Sequence, residues 1–163
     1  MRVLLPIATL LLMTACATSA PVAVGTSPLE GWLQWRGPTG DGSSAEGDLP
    51  TGLEEVAWRH ALPGRGTPVI AGDRLFAMGY EGTGADVVEV LVALDVATGE
   101  RLWTRHYPDF LSDIIYERYS IGAPSVDPVT GHVYAMTSPG LLVAVSRDGA
   151  PLWERLAIVY RIS

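Results

Sequence analysis

Few side chains in this sequence are of a type and spacing that could do chemistry. Asp109, Asp113 and Glu117 recur every four residues downstream of His106, so a helix there would set the three acids on one face. As metal ligands they lack a fixed fourth group and match no metal-binding loop. The plainer reading is a solvated acidic face, on a short helix or ordered loop, opposite Phe110, Leu111, Ile114 and Ile115. A second stretch, Gly37-Pro38-Thr39-Gly40-Asp41-Gly42-Ser43-Ser44, has the glycine density of a phosphate-binding loop. It has no lysine to reach the phosphates, and the 163-residue chain contains none anywhere. It reads as a surface loop. A net charge of −7 excludes nucleic acid as a partner, because phosphate contacts need clustered basic residues.

The one cysteine, Cys16, carries the most specific chemical signal. Arg2 supplies a positive start, Val3 to Leu12 an apolar run, and Thr14, Ala15, Ala17, Thr18 and Ser19 a small-residue region, which together form an export signal over residues 1–15. The apolar run is shorter than the roughly 20 residues a membrane span needs. Met13-Thr14-Ala15-Cys16 resembles the lipobox of bacterial lipoproteins, with Met13 where leucine is usual; cleavage by ordinary signal peptidase after this region is the alternative. A lone thiol in an exported protein tends to oxidise, which favours acylation of Cys16. Ala17, in place of an aspartate that retains lipoproteins at the inner membrane in some bacteria, points to a lipid anchor in the outer membrane, facing the periplasm. Residues 16–31 have the small-residue and proline composition of a tether.

The elements that must position everything else repeat. Ala93-Leu94-Asp95-Val96-Ala97-Thr98-Gly99-Glu100-Arg101-Leu102-Trp103 reads as a strand, a tight turn and a second strand. Asp95 and Thr98 can hydrogen-bond the turn backbone, and Gly99 can take a positive φ. Ala144 to Trp153 is a shortened copy with Ser146, Asp148 and Gly149 in the turn, and Glu54-Glu55-Val56-Ala57-Trp58 looks like the exit strand of an earlier unit. Trp58, Trp103 and Trp153 are 45 and 50 residues apart, the period of one four-stranded propeller blade. Gly66 to Ile70 aligns with Gly122 to Val126, and Asp73 to Met78 with Gly131 to Met136. Each unit therefore has four strands, and the tryptophans serve packing between units. Trp32 and Trp35 read as packing anchors of the lead-in segment. The insertion Tyr80-Glu81-Gly82-Thr83-Gly84-Ala85-Asp86 reads as a long hairpin.

The A-x-D-x-x-T-G-x-x-x-W pattern at blade spacing, preceded by Gln34-Trp35-Arg36-Gly37-Pro38 and Asp41-Gly42, resembles the PQQ-like (pyrrolo-quinoline quinone repeat) β-propeller proteins of bacteria over about residues 32–157. The resemblance implies an all-β fold of four-stranded blades: two blades plus a leading strand in residues 32–163, an incomplete ring read as the N-terminal part of a longer propeller. It also implies two functions. One is a noncatalytic scaffold that binds other envelope proteins or peptides, like the lipoprotein of outer-membrane β-barrel assembly. The alternative is a fragment of a PQQ-dependent alcohol or sugar dehydrogenase, in which the quinone stacks on a tryptophan beside Ca²⁺. The chain lacks the neighbouring cysteine pair and any recognisable ligand cluster of those enzymes, so no cofactor, catalytic residue or metal ligand is assigned, and the scaffold is the expected function.

Overall fold

The computed structural model describes residues 28–47, 52, 56–108 and 120–157. The export signal, Cys16, most of the tether and the acidic segment 109–119 lie outside them. The described elements are β1 (Val69–Ala71), β2 (Arg74–Glu81), a one-turn 3₁₀ helix (Gly84–Asp86), β3 (Val88–Asp95), β4 (Arg101–Tyr107), β5 (Ser125–Val126), β6 (Val133–Met136), β7 (Leu141–Val145) and β8 (Pro151–Leu156), with no α-helix among the described residues. They form two four-stranded antiparallel sheets, β1-β2-β3-β4 and β5-β6-β7-β8, each in sequence order. This is the all-β, two-blade architecture of an incomplete propeller, here called blades A and B.

Residue alternation explains which faces are buried. In β2, Phe76 and Met78 point toward blade B, while Leu75 and Ala77 point the other way. The third strand, β3, is covered on both sides, so its apolar run is continuous: Leu91 and Ala93 join the core between the blades, and Val90, Val92 and Leu94 join a second cluster on the far side of blade A. Blade B contributes Val126, Val133, Ala135, Val143 and Val145 to the shared core. The second cluster is covered by Trp58 and Leu62 of the lead-in segment, which runs beside blade A without a strand ladder in its described residues.

Both outer strands carry the same irregularity. Register shifts between Ala93 and Leu94 in blade A, and between Ala144 and Val145 in blade B. Each bulge leaves one leucine outward, Leu102 or Leu152, and brings the following tryptophan opposite an alanine, Trp103 on Ala93 and Trp153 on Ala144.

Residues 29–33 join the inner edges of the two blades. The Ile70 and Gly72 amides donate to the Trp32 and Glu30 carbonyls (both 2.9 Å), the Val126 amide donates to the Leu33 carbonyl (2.8 Å), and the Leu29 amide donates to the Pro128 carbonyl (2.7 Å). Leu29 and Glu30, assigned by composition to the tether, are thus bonded to blade B and blade A in turn.

Candidate functional site

The repeat motif builds a latch between consecutive units. Asp95 begins the turn from β3 to β4: its Oδ1 accepts from the Ala97 amide (3.0 Å), the Thr98 amide (2.9 Å) and the Thr98 hydroxyl (3.0 Å). Thr98 then accepts from the Glu100 amide at 3.2 Å. The Thr98 amide and hydroxyl hold the Asp95 carboxyl below the usual carboxylate range. Gly99 closes the turn at φ +72°. Its lack of a side chain matters twice, because a Cβ there would also lie 2.5 Å from the Trp58 ring. The Trp58 Nε1 donates to the Val96 carbonyl of the same turn at 2.8 Å.

The next junction repeats this chemistry. The Trp103 Nε1 donates to the Arg147 carbonyl (2.9 Å) in the turn from β7 to β8. Gly149, at φ +83°, leaves room for its ring, which a Cβ would approach to 2.7 Å. That turn is one residue shorter, and Ser146 replaces the aspartate: the Gly149 amide donates to the Ser146 carbonyl (2.9 Å) and the Ala150 amide to its hydroxyl (3.1 Å). Two arginines brace the junction. Arg74 Nη1 reaches the Arg147 carbonyl (2.6 Å) and Asp148 (2.7 Å), and Arg147 pairs with Asp73 and reaches the Ala71 carbonyl.

Trp153 occupies the same place in blade B. Phe76 and Trp103 lie 5.8 Å apart at 41°, and Tyr134 and Trp153 lie 5.9 Å apart at 43°. The surroundings differ. Met78 is 2% exposed beneath blade B, whereas its counterpart Met136 is 45% exposed and Trp153 38%. Blade B therefore presents an open apolar face that copies the buried face of blade A.

Two features went unread in the sequence. Asp127-Pro128-Val129-Thr130-Gly131 is a second aspartate-threonine-glycine turn, between β5 and β6: Asp127 Oδ1 accepts from the Val129 (2.7 Å) and Thr130 (3.2 Å) amides, which lower its pKa, and Gly131 sits at φ +70°. Its pattern is visible in the sequence once the first copy is known. The other is Glu89, a carboxylate only 1% exposed. Its Oε1 accepts from the Ser120 amide (3.2 Å), the Ser120 hydroxyl (3.0 Å) and the Ser138 hydroxyl (2.8 Å), and its Oε2 accepts from the Ser138 amide (2.6 Å). Neutral donors from the approach to β5 and from the turn between β6 and β7 thereby pin blade B to β3. The Ser120 hydroxyl also lies 2.6 Å from the Gly79 carbonyl, so its single proton is shared between that carbonyl and Glu89.

The remaining polar groups form surface pairs. Glu81 bonds Arg101 (2.7 Å) and lies 3.1 Å from His106 Nε2, and Arg101, ahead of His106, draws its pKa down. In the glycine-rich loop, Asp41 accepts from the Thr39 hydroxyl (2.6 Å) and from the amide and hydroxyl of Ser43 (2.9 and 2.7 Å), which lower its pKa to about 2. Trp32 packs against Gly37, but Trp35 is 67% exposed and anchors nothing. No group of three or more His, Cys, Asp or Glu side chains among the described residues is placed to hold a metal ion, and no helix among them is long and apolar enough to cross a membrane.

Antiparallel four-stranded blades packed face to face, each handing a tryptophan to the turn of the next, define the β-propeller repeat class. Within that class, a family profile described as outer membrane protein assembly factor BamB matches residues 48–157, and the chain belongs to this PQQ-like repeat family. No curated protein matches the chain at a significant level.

Proposed function

We infer that this chain is a noncatalytic, protein-binding propeller of the cell envelope, held to the outer membrane by a lipid on Cys16 and acting with other envelope proteins in outer-membrane protein assembly. The observation that carries the reading is the use of the tryptophans. Trp58 and Trp103 each donate to a turn carbonyl and lie against a turn glycine, so their rings are engaged in joining units. The family to which the chain belongs supports the envelope setting and protein partners. In this reading Asp95, Thr98, Gly99 and Gly149 are structural parts of the repeat, and residues 32–163 belong to a propeller carried on the tether.

The test uses the full chain in Gram-negative cells. A photo-crosslinking amino acid at Ile121, an exposed apolar position on the approach to β5, should capture components of the β-barrel assembly machinery, and the same group at Leu102, on the outer edge of blade A, should not. Equal capture at both positions would refute the reading. Saturable binding of PQQ with Ca²⁺ by the purified protein, together with dye-linked alcohol oxidation, would replace it with the dehydrogenase.

A further inference from the structure

Residues 29–33 have a fixed direction as well as a fixed place. Leu29 and Glu30 bond at Pro128 and Gly72, in the turns that follow β5 and β1, and the chain then advances to Trp32 and Leu33, opposite Ile70 and Val126. It runs antiparallel to both inner strands. Leu29 therefore lies at the blade end formed by the turns at 72–73, 96–100, 127–132 and 146–150. The other end carries the hairpin at 82–87, the turn at 137–140 and the Glu89 network.

We propose that this segment sets the orientation of the anchored protein: the turn end faces the lipid headgroups, and the hairpin end faces away from the membrane toward its partners. The proposal rests on the reading of Cys16 as the anchor. Leu29 is the thirteenth residue after Cys16, a contour of at most about 45 Å. To bring the hairpin end to the membrane, that chain would have to cross about 15 Å of four-stranded blade and then climb its height. The eight residues of β2 make that height about 26 Å. Almost no length would remain to reach the lipid.

The turn end is also acidic. It carries Glu30, Asp73, Asp95, Glu100, Asp127 and Asp148, and its Arg74 and Arg147 are already paired with Asp148 and Asp73. It should stand off an anionic surface at low salt and approach it as salt screens the repulsion.

The absence of lysine makes the test specific, because a single introduced lysine is the only side-chain amine in the protein. Ala97→Lys marks the turn end and Ala85→Lys the hairpin end, both at exposed positions. Each full-length variant is labelled with an amine-reactive donor dye, the α-amine adding the same background to both. It is then coupled through the Cys16 thiol to maleimide lipid in vesicles of phosphatidylcholine and phosphatidylglycerol that carry an acceptor dye at the headgroup. Energy transfer should be at least twofold greater from position 97 than from 85, and transfer from 97 should rise with salt. Adding Gly31→Ala should abolish the difference, since a Cβ at φ +136° would collide with the Ile70 carbonyl and free the segment. Equal or reversed transfer in the parent pair overturns the proposal. Chemical coupling separates this outcome from acylation in cells, which is read by fractionation: Cys16→Ser should move the protein from the membrane to the soluble fraction. A soluble protein with Cys16 intact would remove the anchor, and the orientation with it.

Discussion

The latch between Trp103 and Gly149 makes a quantitative expectation that neither residue makes alone. Trp103→Ala removes a half-buried indole packed on Phe76, together with its bond to the Arg147 carbonyl. It should cost about 3 kcal/mol, the lower end of the range for large aromatic truncations because the ring is partly exposed. Arg74 still donates to that carbonyl, so Trp103→Phe should cost only about 1 kcal/mol. Gly149→Ala meets two obstacles: an L-residue at φ +83°, worth about 1–2 kcal/mol, and a Cβ 2.7 Å from the indole, which as overpacking adds about 1–3 kcal/mol. The second obstacle exists only while the indole is there. The double variant should therefore be about 2 kcal/mol more stable than the two single costs imply. Urea denaturation of the four full-length proteins, followed by far-ultraviolet circular dichroism, measures this coupling. Additivity to within about 0.5 kcal/mol would show that ring and turn are energetically independent, and would refute the latch.

Two further outcomes follow from the polar groups. Glu89→Gln puts an amide N–H₂ against the donors of Ser120 or Ser138 and should destabilise the protein by about 2–3 kcal/mol in the same denaturation assay; a loss under 0.5 kcal/mol would mean that the carboxylate does not hold the junction. The carboxyls of Asp95 and Asp127 are lowered by turn hydrogen bonds, so their contribution is present above the unfolded carboxylate range and is lost as pH falls through the folded values. The urea midpoint should hold from pH 7 to about 5 and fall below about 4, more gently in the Asp95→Asn, Asp127→Asn double variant; identical acid profiles for the two proteins would refute the assignment.

The strand plan was legible because each unit repeats four unlike signals in one order: a G-x-P strand, an aromatic-methionine strand, an aliphatic run and a tryptophan. Each of the eight strands overlaps one of those signals, and β2 runs on to Glu81, into the residues read as an insertion. The partners of the tryptophans were not legible, since Trp58 and Trp103 bond backbone carbonyls 38 and 44 residues away, and any residue type can supply a carbonyl. Glu89 was hidden for a related reason. A single glutamate in an apolar strand resembles an outward position, and the serines that satisfy it lie 31 and 49 residues downstream. Leu29 and Glu30 were read with the small-residue and proline stretch upstream of them, and their bonds to Pro128 and Gly72 run through the backbone, which leaves no mark in residue type.

The latch gives the row of blades a chemical direction, like a head-to-tail polymer. Each unit offers one indole N–H forward and one turn carbonyl with its glycine backward, so every junction consumes one of each. Duplicating or deleting a whole unit in frame leaves that count balanced, and the new neighbours meet through the same contact as the old. A cut inside a unit separates its donor from its acceptor and leaves one junction unmatched. Gene duplication can thus change the number of blades in such a protein without redesigning any interface, provided that the breakpoints fall one whole unit apart.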